Sequence, residues 1–284
     1  MKLIADSGST KTHWYLLPDT TEPNTTCHTS GINPFFQQRS DIVDVLQKEF
    51  TLPVKGISEI HFYGAGAANS SKKQELTEAL SAFFDAEKIF VESDLLAVAR
   101  SMCGTQKGII AILGTGSNSG VYDGQKIIQH VSPLGYILGD EGSGAVIGRM
   151  LLSDILKNQM SKKITQAFFA KYATTQAEIM ENVYRKPFPN RYMASFTPFL
   201  FEHIDEQPVH ELVKKSVRAF FERNLLQYSD VLSYPVHFSG SIAYWFRDII
   251  RQTAMETGVS IGHITEGPMQ GLIIFHTDNQ VFLL

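Results

Sequence analysis

The chain has 284 residues, 43% of them hydrophobic and 19% charged, which is the composition of a globular protein and excludes disorder as the dominant state. Lys and Arg number 25 against 29 Asp and Glu, a formal charge of −4, so no broad cationic face is on offer to nucleic acid. No apolar run approaches a membrane span, an acid already stands at Asp6, and the two cysteines, Cys27 and Cys103, form neither a disulfide framework nor a paired-cysteine metal motif. The expectation is a cytoplasmic protein with no membrane or nucleic-acid partner, its thiols packed in the core, and its length that of one large domain or two compact lobes.

Residues 2–6 read as a short buried strand and 13–17 as its return, joined through the hydroxyl-rich turn Ser7-Gly8-Ser9-Thr10-Lys11-Thr12. A third strand is expected over 25–29, then a helix over 41–50 with Ile42, Val45, Leu46 and Phe50 on one face. A strand over 60–63, a Gly-Ala loop, a helix over 70–84, a strand over 88–92 and a helix over 95–102 follow, with Asp94 where the last strand passes into its helix. The order then begins again. Strand 108–113 leads into a second polar turn, Gly114-Thr115-Gly116-Ser117-Asn118-Ser119, followed by strands over 121–122 and 126–130 and a helix over 142–156. Less regular helical material runs to about residue 232, before strand 236–239, helix 242–257, strand 259–264 and helix 268–276.

Laying Ala5-Asp6-Ser7-Gly8-Ser9 over Leu113-Gly114-Thr115-Gly116-Ser117 sets Gly8 on Gly116 with a hydroxyl on each side of both. Because element order repeats together with the turn, the reading is a duplicated α/β unit. Two similar lobes are expected, 1–107 and 108–276, with a helical insertion over about 142–232, the tail 277–284 a candidate to complete the first lobe, and a ligand cleft between them. Amides and hydroxyls of a tight Gly-rich turn make a concave anion site, and two such turns suit a polyphosphate. Neither Gly-x4-Gly-Lys-Ser/Thr nor a strand-linked Gly-x-Gly-x-x-Gly occurs, which argues against P-loop and Rossmann readings.

The segments Asp6-Ser-Gly-Ser-Thr-Lys-Thr12, Gly114-Thr-Gly-Ser-Asn118, Gly139-Asp-Glu-Gly-Ser143 and Ser239-Gly-Ser241 resemble the phosphate-one, phosphate-two, sugar-loop and adenosine motifs of N-acetylglucosamine kinase-like members of the BadF/BadG-type ATPase family. That family belongs to the actin-like superfamily of sugar kinases and heat-shock ATPases, and the four motifs fall in the correct order over nearly the whole chain. The resemblance implies two ribonuclease H-like lobes, each βββαβαβα, ATP and Mg2+ as cofactors, and phosphorylation of an amino-sugar hydroxyl, N-acetylglucosamine to N-acetylglucosamine 6-phosphate. It also implies roles residue by residue. Asp6 would hold hydrated Mg2+; Gly8, Ser9, Thr10, Lys11, Thr115 and Gly116 would meet the phosphates; Gly240 and Ser241 would take the adenosine and its α-phosphate. Asn33, Ser117, Asn118, Gly135 and Asp140 would face the acceptor sugar, with Asp94 as the general base beside it.

Plainer roles compete at these positions: a turn cap for Asp6, a solvated strand residue for Lys11, an N-cap for Asp94, first-turn acids for Asp140 and Glu141, a loop residue for Asn33. Where the family has Gly-Trp before the sugar-loop glycine, this chain has Pro133-Leu134 before Gly135. The rival is an ATP-driven switch resembling the activators of 2-hydroxyacyl-CoA dehydratases, whose iron–sulfur cluster needs a cysteine motif that Cys27 and Cys103 do not form. Residues 157–207 align poorly with the family and are read as a local lobe or a homodimer surface.

Overall fold

A computed structural model describes residues 1–17, 25–67 and 69–277. The described residues divide into two compact units: those within 1–107, 123–127 and 267–277 form one, and residues 108–122 and 128–266 the other.

The first unit contains β1 (Lys2–Ser7), β2 (Lys11–Leu17), β3 (Thr25–Ser30), α1 (Arg39–Glu49), β4 (Glu59–Gly64), α2 (Ser70–Phe83), β5 (Lys88–Ser93) and α3 (Asp94–Cys103). Its sheet runs β3-β2-β1-β4-β5, with β1 antiparallel to β2 and parallel to β4, and β4 parallel to β5. Strand alternation sends Leu3 and Ala5 to one face with Trp14 and Phe62, where they pack with Ile42 and Leu46 of α1 and Leu76 and Leu80 of α2. Trp14 is fully buried and donates its indole N–H to Thr29 Oγ1 at 3.0 Å. The opposite face carries Ile4, Tyr15 and Tyr63 against Ala97 of α3. Because β1, β4 and β5 are parallel, they end on one edge, and register aligns Ser7, Gly64 and Ser93 there.

The second unit contains β6 (Gly108–Leu113), β7 (Ser117–Tyr122), β8 (Ile127–His130), α4 (Gly135–Leu138), α5 (Gly144–Leu156), α6 (Lys162–Tyr172), α7 (Gln176–Tyr184), α8 (Pro189–Ala194), α9 (Thr197–Glu202), α10 (Gln207–Arg223), a 3-10 turn (Leu225–Gln227), β9 (Val236–Ser239), α11 (Ser241–Trp245), α12 (Arg247–Thr257) and β10 (Ile261–Thr265). Its sheet order, β10-β9-β6-β7-β8, is that of the first unit with each strand replaced by its counterpart. Ile109, Ala111, Phe238 and the α10 residues Val217, Phe220 and Phe221 form its core, and the helical insertion adds Ile164, Phe168 and Phe199.

Four features depart from the expected elements. Strand β7 begins at Ser117, so part of the polar turn is already paired, and the short α4 precedes α5. The helix expected over 242–257 is two helices meeting at buried Phe246. Helix α13 (Met269–Thr277), expected to close the second lobe, belongs to the first unit, because Met269 and Leu272 join Ile4, Tyr15, Tyr63 and Ala97 in one apolar cluster. Beyond Thr277 the tail lies outside the described residues. Among the described residues no helix is long and apolar enough to cross a membrane.

Helices α3 and α13 cross so closely that a Cβ at Gly271 would lie 2.2 Å from Ser101 O. Backbone cannot yield as a flexible side chain does, so Gly271→Ala is expected to lower stability by roughly 1–3 kcal/mol, read as a fall of several degrees in Tm by thermal circular dichroism. An unchanged Tm would show that this crossing does not hold α13 in place.

Candidate active site

In the first unit the candidate residues gather at the shared strand edge. The β1–β2 turn is closed by Gly8 N–H donating to Lys11 O at 3.0 Å, and its base is riveted by buried hydroxyls. Ser7 Oγ lies 2.7 Å from Thr12 Oγ1, and it bonds both Ile32 O and Ile32 N at 3.0 Å. The chain leaving β3 can pass this close only because residue 31 is glycine: a Cβ there would meet Gly8 O at 2.4 Å. The turn therefore leaves Gly8, Thr10 and Lys11 exposed on a fixed base.

Asp6 ends the inward run of β1 and Asp94 opens α3. The N-cap of α3 is Ser93, whose Oγ accepts from Leu96 N at 3.2 Å, so the capping role weighed for Asp94 belongs to its neighbour. Asp94 Oδ1 accepts from Leu95 N at 2.8 Å. Burial holds the Asp94 carboxyl above the usual carboxylate range, against the pull of the Leu95 amide. Asp6 is pushed up to about 7, first by burial and then by the charge of Asp94, with Lys11 acting in the opposite sense. His13, opposite Asp6 on β2, stacks on His28 at 4.4 Å and is kept below the usual imidazole range by burial and by the charges of His28 and Lys11. It brings no compensating charge at neutral pH.

Two desolvated carboxylates that repel one another beside a phosphate-type turn suit a hard divalent cation, since Mg2+ takes one or two carboxylates and completes its shell with water and phosphate oxygens. Asp6 fits such an ion on that donor chemistry, bound through water, which leaves the Asp94 carboxylate free to accept a proton. Among the described residues no cluster of three or more His, Cys, Asp or Glu exists that would form an all-protein cage.

Asn33 is buried, and its loop is closed on itself. Asn33 Oδ1 accepts from Phe35 N at 3.0 Å, Asn33 O accepts from Phe36 N and Gln37 N, and Asn33 N donates to Gln37 Oε1 at 2.7 Å. The side-chain amide nitrogen remains as its donor.

A separate set of candidate residues lies in the second unit. Gly114 O and Thr115 O accept from Gly144 N (2.8 Å) and Ala145 N (3.1 Å) at the start of α5, which stitches the turn to that helix. Asp140 Oδ1 accepts from Ser117 N at 3.3 Å, and a Cβ on Gly116 would lie 3.2 Å from Asp140 Oδ2, so Gly116, Ser117 and Asp140 form one cluster. Asp140 is pushed up to about 6, mainly by burial, with the Ser117 amide lowering it and Glu141 raising it. Neither acid serves the helix dipole: α5 is capped by Ser143, and Glu141 pairs with Arg223 at 2.6 Å.

Other expected residues are held differently. Ser117 Oγ is buried without a partner among the described residues. Asn118 Oδ1 accepts from Ser119 N at 3.0 Å and pairs with His130 Nε2 at 2.8 Å. Gly135 opens the exposed α4. Gly240, at φ 114°, presses on the end of β6, where a Cβ would meet Leu113 O at 2.3 Å, and this brings the Gly240-Ser241 turn to the second phosphate turn. Trp245 stacks on Phe201 at the edge of the core.

The predicted residues thus form two sets, Asp6, Gly8, Ser9, Thr10, Lys11, Asn33 and Asp94 in one unit and the remainder in the other. Sequence reasoning missed the supports: Ser7, Gly31 and Ser93, and Gly267, whose added Cβ would lie 4.0 Å from Asp6 Oδ2. Glycine directly after a strand, as at Gly31, was the available signal. A groove of about 870 Å³ between α5, α7 and α10, walled by Met150, Ile179, Met180 and Leu212, holds none of the predicted site residues.

Among solved structures the chain is similar to a candidate N-acetylglucosamine kinase from Porphyromonas gingivalis, with 44% identity and a TM-score of 0.93, covering 99% of this chain and 100% of that one. It is also similar to a candidate N-acetylglucosamine kinase from Chromobacterium violaceum, at 20% identity and TM-score 0.72 over 96% of this chain and 98% of that one. A ROK-family glucokinase from Streptomyces griseus, solved with glucose and AMPPNP, matches at 13% identity and TM-score 0.53 over 96% and 97%. The last two show the fold alone. No family profile matches the chain, and comparison with curated proteins finds no match. With 44% identity across nearly all of both chains, the protein belongs to the N-acetylglucosamine kinase-like family of actin-like sugar kinases.

Proposed function

We propose that the protein transfers the γ-phosphoryl group of ATP to a hydroxyl of an amino sugar, with the 6-hydroxyl of N-acetylglucosamine as the acceptor. The observation that carries this reading is the Asp6–Asp94 pair, two half-buried carboxylates at one sheet edge, both held above the usual carboxylate range by desolvation, beside an exposed turn. Family membership supports it.

In this reading Asp94 accepts the proton of the attacking hydroxyl as the bond from the acceptor oxygen to the γ-phosphorus forms and the bond to the β–γ bridging oxygen breaks, releasing ADP. Asp6 holds hydrated Mg2+, which when bound neutralises charge on the β- and γ-phosphates. The Ser9 and Thr10 amides and Lys11 take phosphate oxygens, with Gly8, whose own N–H is bonded to Lys11 O, letting the main chain come close; Thr115 and Gly116 are assigned to phosphate, and Gly240 and Ser241 to the adenosine and α-phosphate. Asp140 and the Asn33 amide nitrogen hold sugar hydroxyls, and Ser117 orients Asp140 through its N–H.

The switch reading draws no support from the thiols. Cys27 and Cys103 are buried, and burial pushes the Cys103 thiol up to about 11, the opposite of a cluster-binding thiolate.

Three outcomes follow from the reading. Asp94→Asn should lower kcat by about a hundredfold to ten-thousandfold while KM for ATP stays near the wild-type value, and retained turnover would remove Asp94 from its role. Asp6 is pushed up to about 7 in the folded chain from its ordinary 3.8 in the unfolded one, so the native state holds the extra proton between these values and stability falls as pH rises through that window. Asp6→Asn should therefore raise Tm at pH 8, lose that gain near about pH 4, and abolish phosphoryl transfer. Finally, coupled ADP release measured across amino sugars and neutral hexoses should require an added sugar; equal release without one would favour an ATPase.

A further inference from the structure

Within the second unit, a histidine that no motif singles out grips a residue that the sequence resemblance sets beside the acceptor sugar. Asn118 of β7 is half-buried, and His130, the last residue of the edge strand β8, is exposed. Asn118 Oδ1 accepts from Ser119 N at 3.0 Å, which fixes the end of the amide that carries the oxygen. His130 Nε2, 2.8 Å from the same oxygen, is therefore the donor. Burial keeps the imidazole below its usual range, so at neutral pH it is the uncharged tautomer with its proton on Nε2. Two donors thus occupy Oδ1, and the amide nitrogen, without a partner among the described residues, is left as a donor alone.

The pair lies near the surface, yet its footing is in the core. Tyr228 is 3% exposed; its phenol oxygen lies 2.8 Å from Ser119 Oγ and accepts from Val131 N at 3.0 Å. Ser119 follows Asn118 and Val131 follows His130, so one buried hydroxyl ties down both backbones from which the pair projects. Side chains on fixed backbones need little further ordering to hold a ligand. Asn118 also follows Ser117, whose N–H donates to Asp140 Oδ1. Adjacent residues of β7 thus serve an amide that only donates and a carboxylate that, when ionised, only accepts. A sugar needs both, since each of its hydroxyls donates and accepts.

Resting on the kinase reading above, we propose that His130 is a positioning residue for the acceptor sugar: by holding Asn118 Oδ1 it presents the Asn118 N–H groups to a sugar oxygen. His130 touches no substrate and acts only through Asn118.

The experiment measures coupled ADP release with the sugar that best supports it, in wild type and three variants. His130→Phe keeps a ring and removes the donor; it should raise KM for the sugar by about three- to tenfold, the worth of one hydrogen bond, with kcat, KM for ATP and Tm near wild type. His130→Gln returns an amide N–H and should restore most of that loss. Asn118→Asp keeps an oxygen for Ser119 N and His130 but puts an acceptor where the donor stood, and should raise the sugar KM by more than about tenfold. A sugar KM unmoved by His130→Phe or by Asn118→Asp, an equal rise in KM for ATP, or a loss that His130→Gln does not restore overturns the inference and leaves the kinase reading standing. Wild-type ADP release that no sugar increases overturns both.

Discussion

The repulsion between Asp6 and Asp94 is the interaction around which the first unit is arranged. Asp6 at the end of β1 and Asp94 just beyond β5, with β4 between the two strands, both lose water, and the Asp94 charge adds to the rise at Asp6 while Lys11 acts against it. Burying like charges lowers folded stability, so a pair of this kind is expected where ligand binding recovers the cost. Its surroundings are correspondingly firm. The hydroxyl rivet of Ser7 to Ile32 and Thr12, and the Ser93 cap on α3, hold the two strand ends from which the carboxylates project. Parallel register makes the convergence inevitable: Asp6 pairs with Tyr63 and Tyr63 with Glu92, which leaves Asp94 two residues further on at the edge.

The unit boundaries follow the same logic of burial. Helix α13 is apolar enough to seek a core, and its own sequence does not say which. What decides is steric: Gly271 admits Ser101 of α3, and Met269 and Leu272 fill the face of β1 and β2 that α3 leaves open. A helix read as the last element of the second lobe thereby becomes a structural part of the first, lying beside α3 on the same face of the sheet.

Strand alternation and turn chemistry made both sheets and both polar turns legible in the sequence, because those signals are local. What was not legible depended on tertiary partners. Ser93 and Asp94 are both good N-caps, and only the backbone conformation selects Ser93. The break at Phe246 arises because its ring is drawn into the core, and no local residue there is a strong helix breaker. At the site, the residues with ligand-binding chemistry could be named from their motifs, while Ile32 and Gly31, which hold the first turn, carry no chemistry of their own to draw notice.

Duplication produced two units of one topology but not two equivalent sites. The first turn is closed by its own Gly8–Lys11 bond and stands on a hydroxyl base, whereas the second gives its Gly114 and Thr115 carbonyls to the amides that open α5. Aligning the halves sets Gly114 on Asp6, so the second unit lacks the strand-end carboxylate altogether. This asymmetry has a physical reason. A pair of desolvated acids is an uncompensated charge in a low-dielectric setting unless a cation meets it, so each such pair carries its own cost in stability. The second unit instead keeps a single acid, Asp140, whose charge is met by the Ser117 amide, an arrangement suited to holding neutral hydroxyls and not to holding a cation.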